Sequence, residues 1–284
     1  MRSRYTKKRN FRRRRVIKRA RRPTRVSRRS RRVYPTRKGI LDVTSIKKSD
    51  SMMPTQGTGS TVAPNGYVTP AGTGAAFIFC PTYRYLEGAT SGRSTFQSSA
   101  RNATNTYAKG FSETILFAVN GGSPVRWRRV IFSTHLAPIS SAFYASNTND
   151  GTGYHRPMNP LIGTDYLALT TLIFTGAQNV DWNSVHDAQL DTSRITVHYD
   201  KKMVVNPGNA SGAARVHKHY TSLNRPMIYG DDESGEFEAS SPFSNGTNSS
   251  MGNLFVYDVF DLSIPDGVTQ IGFNPQSKYY WHER

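Results

Sequence analysis

Cysteine is nearly absent: Cys80 is the single one in 284 residues. That excludes intrachain disulfides and cysteine-based zinc clusters. Inside the apolar run Ala75–Cys80 the thiol reads as a core group. This run is the longest apolar stretch, and it is far too short to span a bilayer. No apolar segment follows the basic start, so no secretory signal is expected. The chain reads as a soluble product of a reducing compartment with no membrane partner. The triplets Asn102-Ala-Thr104, Asn209-Ala-Ser211, Asn245-Gly-Thr247 and Asn248-Ser-Ser250 are then chance matches to a glycosylation acceptor. Catalytic patterns are missing as well. There is no Gly-x-Ser-x-Gly elbow, no phosphate-cradling Gly-x-x-x-x-Gly-Lys-Ser/Thr, and Gly72-Thr-Gly74 lacks the third glycine of a dinucleotide fingerprint. Neither an enzyme nor a resident cofactor is expected.

The most telling absence is of negative charge at the start. Residues 1–38 hold 16 Arg and 4 Lys and not one Asp or Glu. Of the chain's 38 basic residues, 18 remain for positions 39–284, against 19 acidic ones. The net charge of +19 therefore belongs to an arm on a nearly neutral body. An arm so dense in one sign buries too little apolar area to offset its ordering entropy, so disorder is expected over 1–38. Arginine dominates it, and the planar guanidinium pairs bidentately with phosphate. Arg9, Arg12, Arg13, Arg14, Arg15, Lys18, Arg19, Arg21, Arg22, Arg25, Arg28, Arg29, Arg31 and Arg32 are the candidate nucleic-acid contacts. Such contacts release counterions and position a backbone without reading its sequence. Lys7, Lys8, Arg9 and Arg12–Arg15 also fit a nuclear localisation signal read by an import receptor. Phe11, Val16, Ile17, Val26 and Val33 are too scattered for an interfacial helix.

Residues 39–284 show no composition break and read as one domain. Strands are predicted at Ala76–Cys80, Phe111–Val119, Trp127–Thr134, Tyr166–Phe174, Arg194–Tyr199 (extended by Lys202–Val205), Arg215–Leu223 and Leu254–Leu262. In the last of these Phe255, Tyr257, Val259 and Asp261 share one face. Ile40–Ile46 is a β-branched stretch leading out of the arm. Residues 54–74, 140–160 and 230–253 read as loops, and Asn183 as the cap of a short helix over Ser184–Gln189. Seven or eight strands with long loops argue for an antiparallel sandwich, of which the eight-stranded jelly roll is one form.

Several clusters in the body are candidate sites. Arg126, Arg128 and Arg129 flank Trp127, and Arg84 lies between Tyr83 and Tyr85; such interleaving can pair phosphates and stack unpaired bases. The plainer alternative is that Trp127 and one of the two tyrosines are core while the arginines are surface. His217 and His219, with His198, form a conceivable metal site that lacks Cys or carboxylate partners. Asp231, Asp232, Glu233, Glu236 and Glu238 form either a solvated acidic loop or a calcium loop without EF-hand spacing. Lys278-Tyr279-Tyr280-Trp281-His282 reads as an aromatic anchor, at an interface or within its own domain.

The chain also resembles a known family. The arm followed by Ile40-Leu-Asp-Val-Thr-Ser-Ile-Lys-Lys-Ser-Asp-Ser-Met-Met-Pro54, then Gly110-Phe-Ser-Glu-Thr114, Trp127-Arg-Arg129 and Phe174-Thr-Gly-Ala177, is similar to the capsid proteins of genomoviruses. So are Val180-Asp-Trp182, Asp191-Thr-Ser-Arg-Ile-Thr-Val-His-Tyr-Asp-Lys201 and Gly208-Asn-Ala-Ser-Gly212, within the specific block 174–212. The resemblance implies a single jelly roll that self-assembles into a small T=1 icosahedral shell, on the order of sixty copies, around circular single-stranded DNA. Sixty arms of about 20 charges suit a strand of roughly one to two thousand nucleotides or somewhat more. It also implies residence in the virion and, during assembly, the host nucleus. Carboxylates near packaged phosphates would be repelled, so the acidic loop 230–253 is expected to face outward. A cellular nucleic-acid-binding β-protein, ribosomal or chromatin-associated, is the rival reading.

Overall fold

A computed structural model describes residues 36–57, 63–86, 97–137, 139–140, 143–144, 146–148, 153–235 and 237–283. Residues 1–35, and with them every expectation for Lys7 through Arg32, lie outside the described residues; the disorder expected over 1–38 is corrected at its end, where Arg37 and Lys38 begin a helix. Eight long strands make the body: β1 (Ile46–Met52), β2 (Ala75–Phe79), β3 (Asn105–Asn120), β4 (Val125–Thr134), β5 (Thr196–Val205), β6 (Ala213–Ile228), β7 (Asn253–Leu262) and β8 (Gln270–Glu283). They form two antiparallel sheets, ordered β1-β8-β3-β6 and β5-β4-β7-β2. Successive strands mostly alternate between the sheets, so most connections cross the sandwich. The fold is an eight-stranded jelly roll.

The tight turn between β3 and β4 requires glycine. Gly121 has φ +138°, and a Cβ there would collide with the Thr269 side chain. Alternation along β8 places Ile271, Phe273, Tyr279 and Trp281 in the core, with Asn274, Gln276, Lys278, Tyr280 and His282 facing away. The C-terminal aromatic run is therefore an interior strand of its own sheet. One part of the core stacks Phe117 on Trp127 at 5.0 Å and an interplanar angle of 9°, with Phe260 and Phe273 against them. Each such ring contributes about 1.5–3 kcal/mol by leaving water.

Two segments are helical, one of them against a predicted strand. Residues Arg37–Thr44 form α1, capped by the Thr36 hydroxyl, which accepts from the Gly39 N–H at 3.2 Å. That cap offsets the poor helix propensity of the β-branched residues between Ile40 and Ile46. Residues Gly163–Ile173 form α2, where a strand was expected over Tyr166–Phe174. Its buried side chains Leu169, Leu172 and Ile173 follow the three- and four-residue helical spacing. Asp165 in its first turn suits the helix dipole. The helix predicted over Ser184–Gln189 is a turn held by Asp187 and Ala188 N–H bonds to Ser184 O.

Helix α2 belongs to the long β4–β5 connection, which covers the outer face of the second sheet. Strand β7 is consequently buried along both faces, with Asp261 alone half exposed. The expected loops also carry short strands. Pro54–Gln56 pairs in parallel with Gly153–Pro157, and Asp232–Ser234 pairs with Phe237–Ala239.

Candidate nucleic-acid interface

The four residues Arg126–Arg129 do not share one exposed surface. Strand alternation sends Arg126 and Arg128 to one face of β4, and Trp127 and Arg129 into the inter-sheet core. Arg126 makes a bidentate pair with Asp261 at 3.0 and 2.9 Å. Arg128 does the same with Asp200 at 3.0 and 2.8 Å, and donates to Val185 O and Ala188 O at 2.6 and 2.8 Å. It thereby ties the β4–β5 connection to the sheet. Trp127 is 1% exposed and donates through Nε1 to Asp258 at 2.9 Å. Arg129 contacts Glu113 and, at 3.7 Å, Asp258. Arg156 completes a buried quartet on the same two carboxylates. Every guanidinium in this run already has an acidic partner, because an unpaired buried charge would be prohibitively costly. Arg84, 1% exposed, is spent likewise on Asp50 at 2.8 Å.

The other candidate clusters separate. His217 lies edge-on to Trp127, His219 packs on Tyr199 with ring centroids 4.2 Å apart, and His198 meets the Ser133 hydroxyl at 3.0 Å. Burial, with the Arg129 charge, pushes His219 down to about 4. Among the described residues no group of three or more His, Cys, Asp or Glu could hold a metal ion. In the acidic loop Asp231 points inward onto Arg101, while Asp232 and Glu233 are exposed on the short hairpin.

A different surface carries unspent positive charge. The sheet β1-β8-β3-β6 contains three carboxylates, and all three turn inward. Asp50 pairs with Arg84, Glu113 with Arg129 and Arg156, and Glu283 with Lys48 at 3.0 Å. The outward positions hold Lys47, Lys109, Lys218 and Lys278, with Tyr107, Tyr220, Tyr280 and His282 among them. Among the described residues of these four strands, no acid shares that face. Cross-strand register aligns Ser49, Tyr280 and Gly110 in one row, and Lys47, His282 and Tyr107 in the next. Tyr220 and Tyr280 stand 6.5 Å apart, and Lys278 lies 5.4 Å from the Tyr280 ring. Burial, with the Lys109 and Lys47 charges, lowers the His282 pKa, leaving a neutral ring at neutral pH; Asp42 of α1, 3.9 Å away, is its nearest carboxylate.

Sequence reasoning reached only the Lys278–His282 edge of this face, as an aromatic anchor. Its signal was the alternation of Lys278, Tyr280 and His282 with Ser277, Tyr279 and Trp281, which separates a wet side from a dry one.

No protein-family model matches this chain, and no curated protein does. Among solved structures, an unassembled Washington University polyomavirus VP1 pentamer is similar over 84% of this chain and 96% of its own. The identity is 13% and the TM-score 0.16. The unassembled KI polyomavirus VP1 pentamer is similar over 86% and 96%, at 11% identity and a TM-score of 0.18. Superpositions at such scores carry no weight. The jelly roll rests on the strand order, and that architecture is shared by viral capsid proteins, lectins and cupins. A fold alone assigns none of these functions.

Proposed function

We propose that this chain is the coat protein of a small virus, assembling many copies of itself into a closed shell around single-stranded DNA. The observation that carries the reading is the join of an acid-free arginine arm to a nearly neutral jelly roll. A shell is served by a body that packs against copies of itself and a tail that neutralises packaged phosphate, and a jelly roll with an arginine arm suits those two roles. The sequence resemblance to genomovirus capsid proteins supports the finer version: about sixty subunits with T=1 symmetry, circular DNA as cargo, and assembly in the host nucleus. In that version an import receptor binds Lys7, Lys8, Arg9 and Arg12–Arg15 first, and DNA replaces it afterwards. No catalytic step is assigned to it.

Electron microscopy of the purified chain, with nuclease treatment and recovery of protected nucleic acid, tests the proposal. Uniform isometric particles holding nuclease-resistant single-stranded DNA are expected. Small oligomers that bind nucleic acid without enclosing it, across a range of salt and pH, would move the assignment to a cellular nucleic-acid-binding protein. Replacing Arg12–Arg15 together with Arg28, Arg29, Arg31 and Arg32 by glutamine should abolish nuclear import. Undiminished import would place the signal elsewhere.

A further inference from the structure

We infer that the outward face of the β1-β8-β3-β6 sheet is a second nucleic-acid site, which stacks unpaired bases on Tyr220 and Tyr280 while lysines hold the adjoining phosphates. The inference rests on the coat-protein reading for its cargo and adds to it an ordered site outside the arm.

The geometry is that of a stacking platform. A shallow depression of about 260 Å³ is bounded by Lys47, Ser49, Lys109, Tyr220, Tyr280 and His282. Tyr220 is 56% exposed even though its ring leans over β3. It can lie there because position 110 is glycine: a Cβ on Gly110 would collide with the Tyr220 phenol. This gives a physical reason for the glycine that opens Gly110-Phe-Ser-Glu-Thr114. The Tyr280 hydroxyl accepts from Ser112 Oγ at 3.4 Å, and the Tyr107 hydroxyl donates to Asn224 O at 2.7 Å, so two of the rings are held in place. The exposed Tyr220 ring and the open part of the half-buried Tyr280 ring offer π-faces that any base can stack on, and ammonium groups beside them meet the backbone.

The occupant follows from charge and ring exposure together. A second copy of this face is disfavoured, because its lysines would oppose lysines. The chain's own arm is repelled for the same reason. Duplex DNA would satisfy the lysines and leave the rings unused, since its bases are already stacked on one another. A single strand uses both.

The test uses the full-length chain and a single-stranded oligonucleotide carrying 5-bromodeoxyuridine, irradiated and mapped by peptide mass spectrometry. Adducts are expected on Tyr220, Tyr280 or His282 in addition to any in the arm. This mapping needs no substitution, so misfolding cannot obscure it. Alongside it, Tyr220→Leu and Tyr280→Leu should each weaken single-strand binding about 5- to 150-fold while leaving duplex binding unchanged. Adducts confined to residues 1–35, with both variants binding as the parent does, would remove the platform and leave the coat-protein reading standing. Adducts on the face with equal losses for single strand and duplex would overturn the single-strand assignment. A parent chain that bound no nucleic acid would remove both proposals.

Discussion

Arg101 and Asp231 face each other across 130 residues of chain in a bidentate pair at 2.5 and 2.8 Å, with neither side chain exposed to solvent. The pair joins the segment before β3 to the loop after β6. Tyr229 closes it from one side, its ring centroid 3.8 Å from the guanidinium carbon. Burial by itself would raise the Asp231 carboxyl. The hydrogen bonds and charge of Arg101, with donors from Ser241 and Thr104, outweigh burial and hold the carboxyl below its ordinary range. Asp231→Ala should destabilise the body by about 3–5 kcal/mol, because it leaves a guanidinium buried and unpaired. Replacing both residues with apolar ones should cost less than the single change. Denaturant unfolding of the three chains measures this, and a single variant as stable as the parent would contradict the pairing.

Acid sensitivity should begin with histidine. His219 titrates near 4 in the fold against an ordinary 6.5, so the unfolded chain takes up the proton first. Its contribution to stability is complete above about 6.5 and is lost as pH falls from there towards 4. His198, His217 and His282 are shifted in the same direction by burial and neighbouring cations. His219→Gln should flatten part of the slope of stability against pH in this window, and leave the rest to the other three. An unchanged slope would remove His219 from the account.

Trp127 and Arg126 should behave oppositely although they are adjacent. Trp127→Ala should destabilise by about 3–5 kcal/mol, since it empties a stacked site between the sheets. Arg126→Gln opens a half-exposed pair worth about 0–1 kcal/mol. It should leave nucleic-acid affinity unchanged, because Arg126 already pairs with Asp261. Loss of single-strand binding in Arg126→Gln, with stability intact, would restore the strand β4 arginines as contacts.

The arm should govern salt dependence and leave body stability alone. Replacing Arg12–Arg15, Arg28, Arg29, Arg31 and Arg32 with glutamine should lower the slope of log affinity against log salt by up to roughly 5–6, at about 0.7 for each phosphate no longer neutralised. The thermal midpoint should stay where it was. Equal slopes for both chains would mean that the arm neutralises none of the phosphates.

Composition alone determined the division of this chain into a cationic arm and a neutral body, because charge sums need no coordinates. Period-two patterning determined most of the long strands, since alternation along β3, β5 and β6 directly marks a dry and a wet side. One segment misled it. Tyr166–Phe174 is a short run whose β-branched and apolar residues suit either period, and the helix over Gly163–Ile173 is decided by its packing onto the second sheet. The sequence places Arg126–Arg129 together, but their partners Asp200, Asp258, Asp261 and Glu113 come from strands β3, β5 and β7. Only the tertiary structure could show that these arginines are spent and that, among the described residues, the four strands carry no carboxylate on the face of Lys47, Lys109, Lys218 and Lys278. A charge is read from one residue, whereas its neutralisation depends on which distant strand lies beside it.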